Sequence, residues 1–386
     1  MKIRRFAVAL LGVAILVAAP ARASAPAAPW SASWGTAQGT AIAVGPWQDE
    51  TLRMVVRTSL GGSQIRVHLA NTFATSAASL AHVSVGVQKN GPATWNTPVE
   101  LTFAGAASVT IAPGAAVVSD PASLAVAAGT RLLVSVYAAP GANITSAPVH
   151  QLPQEVEYNY NGYDASGQAT PAPYTNTFAF SSYIAAIDVN TTAASTIVAA
   201  GDSITDGTNA VVDADTRWPD YLAARVAPLG YGVVNAGIVA DQVTADVSGA
   251  PSLTSRWLRD VLSVPGVRTV VDQGGINDLR AGVTAAQLES AQTTLIGQAH
   301  AAGVRVLLTT ITPCAGQSLC TSSFESARQA YNAWVRAGTS ADGFADFDAA
   351  IGNGAALATA YDSGDHIHPD AAGYELLAAA VNTALL

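Results

Sequence analysis

The chain is 386 residues and 39.1 kDa, beyond the ~100–200 residues of one ordinary domain, so two domains are expected. Half of it is hydrophobic and only 12% is charged, which excludes a disordered chain, and a net charge of −9 offers no basic footprint for nucleic acid. Two cysteines are too few for a disulfide scaffold or a four-cysteine zinc site.

The N-terminus has the layout of a secretory signal peptide over residues 1–25. Lys2, Arg4 and Arg5 precede an apolar run from Phe6 to Ala19, and Ala23-Ser24-Ala25 forms a small-residue cleavage signature. The run is short for a membrane-spanning helix, and no later stretch reaches 18 uninterrupted apolar residues. Removing this segment takes away four of the 18 Lys and Arg and none of the 27 Asp and Glu, so −9 becomes −13. An acidic protein exported to the periplasm or medium is expected. In an oxidising compartment, Cys314 and Cys320 of CAGQSLC are expected to pair as a disulfide.

Residues 26–192 read as a β domain. LRMVVRTSL and SQIRVHLAN alternate in polarity around Gly61-Gly62, which predicts a hairpin. HVSVGVQ, VELTFAG, ASVTIA, LAVAAG and RLLVSVYAA follow as further short strands between turn residues, a pattern of sandwich or jelly-roll-like domains. Tyr158, Tyr160, Tyr163, Tyr174 and Tyr183 then fall in a stretch rich in Gly, Pro and Asn. They fit either a binding cleft or a long surface connection packed by its own tyrosines.

From residue 193 to 386 strands alternate with helices. TIVAAGD, YGVVNAG, VRTVVDQGG and VRVLLTTITP read as strands. RWPDYLAARVAPL, SLTSRWLRDVL, TAAQLESAQTTLIGQAHAAG, SSFESARQAYNAWVRAG and a closing GYELLAAAVNTALL read as helices, with Thr284 and Gln287 as a capping box. Such alternation implies a parallel sheet covered on both faces, whose ligands bind beyond the carboxyl ends of the strands. The polar clusters lie at those ends: GDSITDG after the first strand, NAGIVADQ after the second, GGINDL after the third, and DHIHPD before the last helix. Residue 205 is Thr, so the G-x-S-x-G nucleophile elbow is absent, yet a serine at a strand-to-helix turn is a nucleophile when a base reaches it.

These four blocks, in this order, resemble the SGNH hydrolases, the GDSL esterase/lipase family. The resemblance implies a three-layer α/β/α flavodoxin-like sheet, with Ser203 as nucleophile, His368 as base, Asp365 as its orienting partner, and an oxyanion hole from the Ser203 N–H, the Asn277 amide and a backbone N–H after Asn235. The family has glycine at that last position and this chain has Ala240, which keeps the N–H but loses easy access to positive φ. The β domain, with WSASWGTAQ and RVHLANTF, resembles more loosely that of secreted two-domain members.

Blander readings stand beside each residue. Ser203 and Asp206 suit a helix-initiating turn, and Asn277 and Asp278 a cap. Asp365, His366 and His368 are metal-ligand types, but the two histidines of an extended His-x-His point to opposite sides, and no metal or other cofactor is expected. The expected activity is hydrolysis of a carboxylic ester, on acetylated polysaccharide or on a lipid as in lipases and lysophospholipases. The rival of another class is a carbohydrate-binding protein with an inactive hydrolase domain. Phosphodiester cleavage lacks a basic or metal cluster to hold its phosphate.

Overall fold

The computed structural model describes residues 29–191 and 195–386. The signal segment and the expected domain boundary at 192/193 lie outside the described residues. On one side of that boundary the strands are antiparallel, and on the other the principal sheet is parallel.

The first region builds a four-stranded sheet in the order Trp30–Gly35, Ile184–Asn190, Ile65–Ala70, Ala116–Val118. A larger sheet runs Asn176–Phe178, Glu157–Asn161, Glu50–Arg57, Arg131–Ala138, His82–Asn90, and a third joins Ile144–His150 to Thr40–Trp47. Val56, Leu132 and Val134 from the larger sheet share one buried core with Val67, Leu69 and Ile187 from the four-stranded one, the arrangement of a sandwich.

The hairpin expected at Gly61-Gly62 does not form. Glu50–Arg57 is buried along nearly its whole length, pairs throughout with Arg131–Ala138 and over Glu50–Arg53 with Glu157–Asn161, and its Val55 N–H on that side is taken by Glu157 Oε2, so Ile65–Ala70 pairs elsewhere. Neither glycine has the positive φ of a tight hairpin turn. They instead let the chain pass close to its neighbours: a Cβ on Gly62 would stand 2.7 Å from the Asn190 carbonyl oxygen. Expected strands also shorten. VELTFAG and ASVTIA keep only Val99–Glu100 and Val109–Ile111, and LAVAAG is reduced to a single bridge between Val126 and Gly62.

The tyrosines pack within this region. Tyr183 is fully buried against Trp47, Tyr174 lies under the Arg53 guanidinium, and Tyr160 meets Tyr163 edge to face. Tyr174 and Tyr183 thus take the packing role, whereas Tyr163 is exposed.

The second region follows its sequence closely. Strands β1 (Ser195–Gly201), β2 (Tyr231–Gly237), β3 (Val267–Gln273), β4 (Arg305–Thr309) and β5 (Gly343–Ala345) form one parallel sheet in the order β2-β1-β3-β4-β5, the flavodoxin order. Near-continuous burial of β1 and β3 matches helices on both faces. Of helices α1 (Ser203–Asp206), α2 (Trp218–Val226), α3 (Leu253–Trp257), α4 (Ile276–Arg280), α5 (Ala285–Ala301), α6 (Ser322–Arg336), α7 (Phe347–Ile351) and α8 (Ala371–Ala380), α8 packs with α2 and α7, α5 and α4 pack with α6, α3 touches α5, and α1 rests on β1 and β2. Thr284 and Gln287 form the expected capping box on α5. The chain reverses its strand order between β1 and β3, and the crevice at such a switch point is where α/β sheets bind ligands.

The two regions touch along the edge of β2. Ser59 Oγ donates to the Val233 carbonyl (3.1 Å) and accepts from the Val233 N–H (2.8 Å), and Thr36 bridges Asn235 in parallel.

Candidate active site

Strand β1 ends at Gly201, whose φ of +152° and tight surroundings exclude a side chain: a Cβ would lie 2.5 Å from Thr205 Oγ1. Asp202 then caps the one-turn helix α1, its Oδ1 accepting the Ile204 N–H at 2.9 Å, and Gly207 closes the turn in the left-handed region. Ser203 is thereby presented as the first helical residue beyond the carboxyl end of β1, 7% exposed.

A second loop, before α8, brings the histidine expected to act as base. Asp365 Oδ1 accepts the N–H groups of Ile367 (3.0 Å) and His368 (2.9 Å), which curls DHIHP into a compact turn. The Ser203 hydroxyl lies 2.8 Å from His368 Nε2, and His368 Nδ1 lies 2.6 Å from Asp365 Oδ2. The proton on Nδ1 is therefore directed at the carboxylate, leaving the Nε2 lone pair for the serine. Burial pushes the Asp365 carboxyl up, but the His368 N–H, its imidazole and the Ile367 N–H outweigh it and hold the carboxyl at about 2. Asn209 adds a further donor, its Nδ2 2.9 Å from Asp365 Oδ2. His366 turns elsewhere: it is exposed, at φ +67°, with Nδ1 2.7 Å from Asp362 Oδ2. Asp365, His366 and His368 thus do not converge on one point.

Asn277 sits in the first turn of α4, after β3. Its Nδ2 donates to the Asp241 carbonyl at 2.9 Å and its Oδ1 accepts from Arg280 at 3.2 Å, which leaves the second amide hydrogen without a protein acceptor among the described residues. Asp278, its neighbour, is structural. Its carboxylate accepts the Val243 and Thr244 N–H groups and the Thr244 hydroxyl, pinning the chain after β2. Ala240, exposed in the turn after β2, has φ +64°. An alanine stands in the conformation glycine adopts freely, at a cost of about 1–2 kcal/mol. Among the described residues, neither the Ala240 N–H nor the Ser203 N–H donates to a protein acceptor, whereas the Gly237 N–H is taken by Asn235 Oδ1 at 2.9 Å.

Arg256 beneath these elements escaped the sequence reading. It is fully buried, with Nη1 donating to the Ala236 carbonyl (2.7 Å), Nη2 to the Gly201 carbonyl (3.0 Å) and Nε to Asp241 Oδ2 (3.1 Å). Burial works against its charge, and Asp241 and Asp260 more than offset that. One guanidinium therefore ties the ends of β1 and β2 to Asp241, whose carbonyl in turn holds Asn277. The signal was an arginine on the apolar face of SLTSRWL, between Leu253 and Trp257. Asn209 carried no signal beyond following the GDSITDG block.

The Asp202 carboxyl, fully buried, is pushed up to about 7 by desolvation, against the pull of the Ile204 N–H and the Gln273 amide. Cys314 and Cys320 are joined as expected. Their loop packs on the histidine loop, so that a Cβ at Gly316 would meet the His366 ring at 2.9 Å.

Residues 199–376 match the GDSL-like Lipase/Acylhydrolase family. No curated protein matches the chain. Solved structures similar to it include the aryl esterase of M. Smegmatis, 19% identical over 48% of this chain and 95% of that one with a TM-score of 0.41. A carbohydrate acetylesterase family member from Sinorhizobium meliloti is 15% identical over 48% of this chain and 94% of its own, with a TM-score of 0.41. An acetyl xylan esterase variant from Geobacillus stearothermophilus is 21% identical over 48% and 91%, with a TM-score of 0.37.

Proposed function

We propose that this chain, whose residues 199–376 match the GDSL-like Lipase/Acylhydrolase family of ester hydrolases, is an exported serine esterase working through a covalent acyl-enzyme on Ser203. The observation that carries this reading is the unbroken line from Ser203 Oγ through His368 to Asp365, with contacts of 2.8 and 2.6 Å. His368 Nε2 takes the serine proton as Oγ bonds to the ester carbonyl carbon, and Asp365 stabilises the resulting imidazolium. The tetrahedral oxyanion is held by the Ser203 and Ala240 N–H groups and the Asn277 amide. The imidazolium then protonates the departing alcohol oxygen as its bond to carbon breaks. Water repeats the sequence on the acyl-enzyme: it gives one proton to His368, its oxygen bonds to the acyl carbon, and the proton returns to Ser203 as the acid leaves.

Export is supported by the signal-like segment 1–25 and by the Cys314–Cys320 bond. The proposed substrates are acetyl esters of polysaccharide, the reading that suits an exported acidic protein whose second region is attached to a large β region. One observation favours lipid esters instead: Val211 and Val212, both more than half exposed, follow Asn209 close to the site.

Acid release from p-nitrophenyl esters of increasing length, acetylated xylan, acetylated pectin and lysophospholipid separates these readings. Faster acetate release from the polymers than from longer esters is expected, and preference for lysophospholipid would move the assignment to lipids. Ser203→Ala should lower every such rate by about 10⁴-fold or more while the fold survives. Undiminished turnover in that variant would remove the serine mechanism, and no turnover by the native chain would restore the carbohydrate-binding alternative.

A further inference from the structure

One buried histidine is not used in this mechanism. His150 ends the strand Ile144–His150 of the β region and is 4% exposed. Its Nδ1 lies 2.9 Å from the Ala37 carbonyl oxygen. Its Nε2 lies 3.1 Å from the Leu152 carbonyl oxygen and 3.1 Å from Asp206 Oδ1, with the hydrogen bond aligned on the carbonyl and the carboxylate contact electrostatic. Both ring nitrogens thus face oxygen acceptors. A neutral imidazole has one N–H and one lone pair, so either tautomer would set a lone pair against an oxygen, whereas the imidazolium presents two donors. Asp206 is itself 1% exposed, and a carboxylate so deeply buried is costly without an opposite charge beside it.

We infer that His150 is a doubly protonated positioning residue, supplied by the β region, which fixes the turn that carries Ser203 through its charge pairing with Asp206. Asp206 is the last residue of α1, three beyond Ser203, and its backbone is wedged so tightly on β2 that a Cβ at Gly237 would lie 2.2 Å from the Asp206 nitrogen. Gln154, four residues after His150, extends the grip. Its Nε2 donates to the Gly207 carbonyl at 2.8 Å and its own carbonyl accepts the Asp213 N–H at 3.0 Å. The β region therefore holds both ends of the loop that carries Asn209, the residue bound to Asp365.

The charges around the pair agree. Burial and the nearby Arg217 work against protonation of His150, Asp206 and the Ala37 carbonyl favour it, and the balance lies above the ordinary histidine value. Arg217 is engaged by Asp220, and Tyr374 faces Asp206 from α8. A raised folded-state value means that the pair's stabilisation is full below about 6.5 and is lost as pH rises through the folded value.

The inference rests on Ser203 as nucleophile, and the full chain tests it. His150→Gln should lower kcat by about ten- to a hundredfold with KM little changed, because the reacting groups lose alignment rather than substrate contacts. The native enzyme should show an alkaline decline of kcat that is absent in that variant, and adding Asp206→Asn should recover part of the loss. Where His150→Gln fails to fold, histidine-selective ¹⁵N spectra of the native protein at about pH 8, above the ordinary histidine value, still decide: two protonated nitrogens on His150 support the inference and one overturns it. Native kcat and an unchanged alkaline limb in His150→Gln would overturn it while leaving Ser203 in place, whereas a fully active Ser203→Ala enzyme would remove the reading beneath it.

Discussion

Arg53 in the first region and Arg256 in the second are both fully buried, and the two serve different ends. Arg53, in the middle of strand Glu50–Arg57, donates to Ser135 Oγ (2.7 Å) and to the carbonyls of Pro92 (2.7 Å) and Ser166 (3.0 Å), and stacks on Tyr174. Its partners are neutral, and what it fastens are loops of the sandwich. Arg256 has a carboxylate partner and fastens the ends of β1 and β2 and the Asp241 carbonyl that holds Asn277. The physical device is the same, a planar fork of donors satisfied in a dry interior. What differs is what hangs from the acceptors. Carbonyls remote from the proposed reacting groups make the arginine a structural rivet, and those next to them make it part of the site's scaffold.

Substituting both arginines by methionine sharpens this contrast most. Arg256→Met strands the Asp241 carboxylate and should cost about 3–5 kcal/mol of stability, together with a fall in kcat measured at a temperature where the variant is folded. Arg53→Met leaves only neutral acceptors unpaired and should cost about 1–3 kcal/mol, seen calorimetrically, with kcat as in the native enzyme. Equal losses of kcat in both would erase the distinction.

Asn277→Ala removes one of the proposed oxyanion donors and should lower kcat by about 10²–10³, equivalent to about 2.7–4 kcal/mol, with KM little changed. Stopped assays on the best ester of the panel read this directly, and a loss confined to KM would place Asn277 in ground-state binding.

Two carboxylates of the site should respond to pH with opposite signs. Asp365 is held at about 2, below its ordinary 3.8. Its contribution is therefore present above about 3.8 and lost as pH falls toward 2, and the gap in Tm between the native protein and Asp365→Asn should close over that interval. Asp202 is raised to about 7. Its favourable state is the protonated one, so native stability should fall between about pH 4 and 7. Asp202→Asn, which keeps the cap on α1, should lack that fall and be the more stable protein above pH 7. Parallel melting curves for native and Asp202→Asn across the range would contradict this.

The smallest effect is expected at Ala240. Glycine adopts φ +64° without the Cβ penalty but loses more backbone freedom on folding, so Ala240→Gly should shift stability by about 1 kcal/mol or less and leave kcat within about tenfold. A larger fall in activity would show that the methyl group, rather than the N–H, is what matters there.

The two regions also differ in how far the chain could be read without a structure. In the parallel sheet each helix returns the chain to the same edge, so motif order along the sequence becomes motif order along the strand ends. GDSITDG, NAGIVADQ, GGINDL and DHIHPD could be placed, and Ser203, Asp365 and His368 paired, from spacing and resemblance alone. The antiparallel region offers no such rule. LRMVVR and IRVHLA alternate in polarity like hairpin partners, yet the first is buried on both faces and the two go to different sheets, because strand pairing there is settled by which long-range faces fill one core. Local sequence therefore determined the strand-to-helix turn at Ser203, the capping box at Thr284 and the disulfide loop at Cys314. Only the tertiary structure decided what lies underneath: Arg256 reaching Gly201 from 55 residues away, Asn209 against Asp365, and His150 against Asp206. Such contacts depend on the burial of charge, and a charge pays for its desolvation only where distant segments bring partners to it, which no local pattern records.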